Sequence, residues 1–138
     1  HHPGLMSPAH PTILVADDYP ENCRLFSIYL RNDYEVVTAL SAEEAFERLK
    51  QGDVAAALLD INYQGGMTGH DLIRVLRADA DLCDLPTLAL TAHASPEDRR
   101  RCLEGGFDAY LSKPVMKAQM LEALAALLAE AEVSRRAT

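Results

Sequence analysis

The sequence predicts an α/β domain built on a parallel sheet, and three observations carry that expectation. Short apolar runs of strand length alternate five times with longer stretches of helical periodicity. Most of those runs are apolar throughout, as strands buried on both faces require. The chain has 138 residues, which fits one domain, and a chain near that length buries roughly 70% of its unfolded surface.

Thr12 to Ala16 is the first apolar run, and it stops at Asp17 and Asp18. Pro20 follows where a first helical turn tolerates it, and Leu25, Phe26, Tyr29 and Leu30 recur at helical spacing. Tyr34 to Ala39 alternates and carries β-branched residues, giving a second strand. Ser41 and Glu44 form a capping-box pattern, Ala45, Phe46 and Leu49 make an apolar stripe, and Gly52 ends that helix.

Val54 to Leu59 is the third run, ending at Asp60. Gly65, Gly66 and Gly69 mark a loop into a helix carrying Leu72, Ile73, Val75 and Leu76. Pro86 to Leu90 forms the fourth strand, with Thr91 at its end. Ser95-Pro96-Glu97-Asp98 is a strong helix start and Gly105-Gly106 a stop. Phe107 to Leu111 is the fifth strand. Ser112-Lys113-Pro114 then leads into an Ala- and Leu-rich helix reaching about Val133, with Leu121, Leu124, Leu127 and Leu128 as its core stripe.

Five strands alternating with five helices imply right-handed crossovers and helices on both faces of the sheet. No internal repeat and no linker to a second domain is visible. The domain is assigned to residues 11–133, with 1–10 a tag remnant and disordered N-terminus (His1-His2 before Met6) and 134–138 a frayed polar tail.

Composition narrows the function. Lys and Arg number 13 against 21 Asp and Glu, a formal charge of −8. That balance argues against nucleic acid and anionic membrane surfaces as partners. No apolar run approaches the roughly 20 residues of a membrane span. Cys23, Cys83 and Cys102 have no Cys or His at ligand spacing, so reduced side chains and a cytoplasmic location are expected.

Ligands of open parallel sheets bind outside the carboxyl ends of the strands, and Asp17, Asp18, Asp60, Thr91 and Lys113 all fall there. One aspartate after a strand is an ordinary turn residue. Four strands that each end in a side chain able to bind metal or phosphate are harder to assign to turns. Clustered carboxylates repel, and a cation lets all of them stay ionised. Oxygen ligands favour Mg²⁺ over zinc. Three carboxylates, the Lys113 ammonium and one Mg²⁺ cancel in charge, so a phosphoryl group would meet a neutral site. Thr91 can donate a hydrogen bond to one of its oxygens and Lys113 a charge-assisted one to another. The central Asp60 is free to attack phosphorus in line and form an acyl phosphate.

Four stretches carry a family resemblance: Ile13-Leu14-Val15-Ala16-Asp17-Asp18, Leu58-Leu59-Asp60-Ile61-Asn62, Leu88-Ala89-Leu90-Thr91-Ala92 and Tyr110-Leu111-Ser112-Lys113-Pro114. In this order and spacing the chain resembles the receiver domain of two-component response regulators, the CheY-like family, over about Pro11 to Ala131. The resemblance implies a flavodoxin-like fold with strand order 2-1-3-4-5. It implies Asp60 as phosphoacceptor and Mg²⁺ held by Asp18, Asp60, the backbone carbonyl of Asn62 and, through water, Asp17. Thr91 would be the switch hydroxyl, Lys113 the phosphate-binding cation, and Tyr110 the aromatic that moves inward on activation. The side chains of Asn62 and His93 would tune phosphoryl lifetime, and the Lys113-Pro114 bond would be cis.

The same resemblance implies a histidine kinase or histidine phosphotransfer protein as donor, and a protein of unknown identity as output partner. It implies a signalling module whose only chemistry is its own phosphorylation and dephosphorylation. Homodimerisation through the face of the fourth helix, fifth strand and fifth helix is a common mode of the family. The chain could be free-standing or part of a longer regulator or hybrid kinase.

The loop after Asp60 departs from the family. Met or Leu followed by Pro is common where this chain has Tyr63 and Gln64, and Gly65 to Gly69 makes the loop about one residue longer. Loss of the proline is expected to loosen the loop, and Tyr63 to add bulk near the site. Asn22 is expected at the edge of the metal pocket. Arg99-Arg100-Arg101 reads as a solvated helix face or a partner patch, and His10 and His70 belong to no site.

Three rival functions fit less well. A Mg²⁺-dependent phosphohydrolase resembling the haloacid dehalogenases needs a second Asp two residues after its nucleophile, and that position is Asn62. A flavodoxin-like cofactor binder needs a Ser/Thr/Gly-rich phosphate loop where Asp17 and Asp18 stand. A degenerate receiver, acting as a phosphorylation-independent interaction module, would lack chemical residues that this chain has.

Overall fold

Five strands and five helices alternate along the residues described by the computed structural model, 10–93 and 95–136. In chain order they are β1 (Thr12–Ala16), α1 (Pro20–Leu30), β2 (Glu35–Ala39), α2 (Ala42–Lys50), β3 (Ala56–Asp60), α3 (Gly69–Ala78), β4 (Thr87–Thr91), α4 (Pro96–Gly105), β5 (Ala109–Ser112) and α5 (Lys117–Arg136). The strands form one parallel sheet in the order β2-β1-β3-β4-β5. This is the doubly wound, flavodoxin-like order, and strand order reverses beside β1.

Apolar side chains on both faces of the strands give the sheet two cores. Leu14, Ala16, Ala57, Leu59 and Ala89 pack with Ala45 and Leu49 of α2, Leu72, Ile73 and Leu76 of α3, and Cys102 of α4. Ile13, Val15, Leu58, Leu88 and Leu90 pack with Cys23, Phe26 and Leu30 of α1 and Met120, Leu124 and Leu127 of α5. Leu121 and Leu128 border that second core half-buried. β3 and β4 are buried along their whole length, which fits their place in the middle of the sheet.

Helix starts follow the polar caps. Ser41 Oγ accepts from the Glu44 amide at 3.0 Å, Ser95 Oγ accepts from the Asp98 amide at 3.1 Å, and Thr68 with Asp71 forms a reciprocal capping box. At Gly69 the chain passes so close to β3 that a Cβ would lie 2.5 Å from the Asp60 carbonyl oxygen and 2.6 Å from Ile61 Cα. Only glycine fits there, and the contact packs the start of α3 against the end of β3.

Several boundaries differ from the sequence expectation, and β2 starts at Glu35 rather than Tyr34. β3 begins at Ala56: Gly52 and Asp53, both at positive φ, turn the chain, Val54 leads in, and the Ala55 amide already donates to the Thr12 carbonyl at 2.8 Å. β5 begins at Ala109, because the Phe107 amide is engaged by the Cys102 carbonyl at the end of α4. β4 excludes Pro86, which has no N–H to pair. α5 runs to Arg136, so Ser134 to Arg136 are helical rather than frayed, and Arg135 and Arg136 both pair with Glu132 one turn earlier. The expected tag remnant falls mainly on residues 1–9, outside the described residues, as do 137–138 of the expected tail.

Candidate functional site

The carboxyl ends of β1, β3, β4 and β5 converge, and the polar residues that end those strands meet. Asp17 is fully buried, while Asp60 and Thr91 are 4% and 3% exposed. Lys113 Nζ reaches Asp17 Oδ2 at 2.7 Å and Asp60 Oδ2 at 3.3 Å. The Lys113 amide donates to the Thr91 carbonyl at 2.7 Å, which joins the ends of β4 and β5. The Lys113-Pro114 peptide bond is cis.

Every oxygen of Asp17 and Asp60 has a donor. Asp17 Oδ1 accepts from the Tyr19 amide at 2.9 Å, and Asp17 Oδ2 accepts from Asn22 Nδ2 at 3.2 Å as well as from Lys113. Asp60 Oδ1 accepts from the Asn62 amide at 3.2 Å. Burial pushes the Asp60 carboxyl above its usual value; Lys113 and the Asn62 amide oppose that rise, and Asp17 adds to it. For Lys113 burial works downward, but the hydrogen bond to Asp17 and the charges of Asp60 and Asp17 prevail, so the ammonium is held above the ordinary lysine range.

Asp18 differs. Its Oδ2 accepts from the Gln64 amide at 2.9 Å, but its Oδ1 is buried without a hydrogen-bond partner. A buried carboxylate oxygen left unpaired is costly and calls for a ligand. Asp17, Asp18 and Asp60 each offer a carboxylate oxygen, and these atoms lie within 4.8 Å of one another. Three carboxylates face one ammonium, so the site carries excess negative charge. This all-oxygen donor set fits a hard divalent cation such as Mg²⁺.

The neighbouring residues shape the mouth of the site. The Thr91 hydroxyl accepts from the His93 amide at 3.0 Å, and the Tyr110 hydroxyl donates to the His93 carbonyl. The side chains of Asn62 and His93 are exposed. Tyr63 turns inward: its ring packs on the core of α2 and α3, and its hydroxyl donates to the Ala16 carbonyl at 3.4 Å. Burial, aided by the charges of Asp60 and Asp17, drives its phenol far above the usual range. Below Asp17, the Cys23 thiol donates to the Asp17 carbonyl at 3.4 Å; burial first and the Asp17 charge second push it up to about 11, so it stays a thiol.

The site therefore gathers the sequence-predicted Asp17, Asp18, Asp60, Thr91 and Lys113, with Asn22 at its edge. The sequence reading gives no role to Glu43, whose Oε2 accepts from the Met67 amide at 2.9 Å and ties the loop after β3 to α2. A surface cavity of about 510 Å³ lies at the other end of the sheet, beside Arg77, Asp84, Asp108 and Leu127, and contains none of the site residues.

Residues 13–125 match the family model of the response regulator receiver domain. The chain belongs to that family. As a receiver it is 38% identical over 104 residues to the sensor histidine kinase RcsC of Escherichia coli K12, covering 75% of this chain and 11% of that protein. Over 121 residues it is 27% identical to the polar-differentiation response regulator DivK of Brucella ovis, covering 87% of this chain and 98% of DivK. Its fold superposes on a CheY-like receiver domain protein from Methanospirillum hungatei with a TM-score of 0.82 and 28% identity, over 91% of this chain and 99% of the other. The receiver spans only 11 to 16% of the length of the sensor and sensory/regulatory proteins it matches. Among its described residues no helix is long and apolar enough to cross a membrane. An acidic triad with a lysine at the strand ends is consistent with phosphoacceptor signalling by a receiver.

Proposed function

We propose that this receiver is a cytoplasmic phosphoacceptor switch in which Asp60 takes a phosphoryl group from a histidine kinase or a histidine phosphotransfer protein. The observation that carries the reading is the meeting of three carboxylates and Lys113 at the strand ends, with Asp18 Oδ1 left unpartnered. Asp60 attacks phosphorus as the bond to the donor imidazole breaks, and the product is an acyl phosphate. Lys113, already 3.3 Å from Asp60, is placed to hold a phosphoryl oxygen. Asp18, Asp60, the Asn62 carbonyl and, through water, Asp17 would hold Mg²⁺, which would supply the positive charge that lets three carboxylates and a phosphoryl group share one site.

The switch runs through the end of β4. The Thr91 hydroxyl donates a hydrogen bond to a phosphoryl oxygen, which draws on the segment it shares with His93 and Tyr110. We place the change in protein contacts on the face of α4, β5 and α5, including any homodimer, and the working unit in residues 11–133. Asn62 and His93, exposed at the mouth, govern the access of hydrolytic water. The module acts on no external substrate.

Intact-protein mass after incubation with acetyl phosphate and Mg²⁺ tests the reading. A gain of about 80 Da, one phosphoryl group, is expected in the wild type with metal and in neither Asp60→Asn nor EDTA. The same gain in Asp60→Asn contradicts Asp60 as acceptor. No gain from acetyl phosphate or from a phosphorylated histidine donor contradicts phosphoacceptor function and favours a phosphorylation-independent module.

A further inference from the structure

Gln64 occupies the loop position where a proline would offer no N–H, and here the N–H is used. It donates to Asp18 Oδ2 at 2.9 Å. That bond occupies one oxygen of Asp18 and leaves Oδ1, buried and unpartnered, beside Asp17 and Asp60. Two ties hold the loop that carries this amide. Gln64 Nε2 donates to the Tyr19 hydroxyl at 3.0 Å, and the Met67 amide donates to Glu43 Oε2 at 2.9 Å. Between them Gly65 and Gly66 stand at φ 77° and 68°, a turn that carries the loop against α2. The fit is close: a Cβ on Gly66 would lie 2.7 Å from Glu43 Oε2.

We propose that the Gln64 backbone amide positions Asp18 for a divalent cation, and that Glu43 of α2 is the positioning residue that keeps the loop, and so the amide, in place. The inference rests on reading Asp17, Asp18 and Asp60 as the metal site. A carboxylate already held in its ligating orientation loses less freedom on binding than one that must be ordered by the metal. Groups that orient metal ligands typically change affinity by an order of magnitude or more. The loop that the sequence leads one to expect loose is thereby tied at both ends, to Asp18 and to Glu43.

Calorimetric titration of MgCl₂ into the full chain, with amide hydrogen exchange measured by NMR in EDTA, tests this in four variants. Gln64→Ala keeps the amide but loses the Tyr19 tie, so its affinity falls less than that of Gln64→Pro. Gln64→Pro deletes the N–H and weakens Mg²⁺ binding roughly tenfold. Glu43→Ala weakens it too and speeds exchange at Gln64 and Met67. Glu43→Gln, whose side-chain carbonyl can still accept from Met67, restores most of both. A Glu43→Ala variant that melts lower but binds Mg²⁺ like the wild type has lost only stability, and that result overturns the inference. So does a folded Gln64→Pro with unchanged affinity. In both cases the metal site itself survives. A wild type that binds no Mg²⁺ overturns the metal reading, and the inference with it.

Discussion

The Lys113 ammonium sits 2.7 Å from Asp17 Oδ2, closer than its 3.3 Å approach to Asp60 Oδ2, and Asp17 is fully buried. The lysine therefore has two duties. It neutralises a carboxylate that water cannot reach, joining the end of β5 to the end of β1, and it leans on Asp60, the residue proposed to accept phosphate.

Removing the ammonium should expose the first duty. In Lys113→Met, Asp17 keeps only the Tyr19 amide and Asn22 Nδ2 as donors. Breaking a buried pair by deleting one partner leaves an uncompensated charge and costs about 3 kcal/mol or more. Urea unfolding in EDTA should register that loss, and added Mg²⁺ should recover part of it by replacing the missing positive charge. Equal stability of variant and wild type in EDTA would show that Asp17 does not depend on the lysine.

Asp60→Asn should act in the opposite direction. It removes one of three carboxylate charges facing a single ammonium, while Lys113 retains its closer partner Asp17. Without metal, the variant is expected to melt about 3 °C higher near neutral pH. The sign of the pH dependence follows from the raised carboxyl of Asp60. The penalty of its ionised form is fully present above the folded pKa and gone below the unfolded one, so the advantage of the variant shrinks as pH falls and the wild type takes up the proton itself. Scanning calorimetry in EDTA across that range measures it, and an advantage that stays constant on acidification contradicts the assignment.

The site was legible where side chains end strands. Asp17, Asp60, Thr91 and Lys113 each close an apolar run, and a buried run that stops at a polar residue marks the carboxyl end of a strand. The same signal misplaced the starts of β3 and β5, because Val54 and Phe107 are apolar yet stand before the strands begin, and hydropathy registers burial rather than hydrogen bonds. Backbone donors leave no mark in a sequence, so the Gln64 and Met67 amides were invisible as partners of Asp18 and Glu43. Glu43 reads as an ordinary first-turn acid favoured by the dipole of α2. Its second role depends on a loop 24 residues later turning back towards it.

Arg77 supports the end of the sheet away from the site. Nε donates to the Gly106 carbonyl at 2.9 Å, Nη1 to the Cys83 and Leu85 carbonyls at 3.0 and 2.7 Å, and Nη2 to Thr87 Oγ1 and Asp108 Oδ2 at 2.9 and 3.0 Å. Asp108 Oδ2 also accepts from the Thr87 amide at 2.8 Å. One planar guanidinium thus joins α3 to the turns that lead into β4 and β5. A lysine presents a single compact ammonium and cannot span those acceptors. Arg77→Lys is therefore expected to lower stability by about 2 kcal/mol, read as a lower urea midpoint with an unchanged m-value. Its Mg²⁺ affinity should match that of the wild type, because Arg77 contacts the entry to the strands and the carboxylates stand at their exit. A parallel loss of metal affinity would mean that the two ends of the sheet are coupled through β4 and β5, and that Thr87 and Thr91 move together.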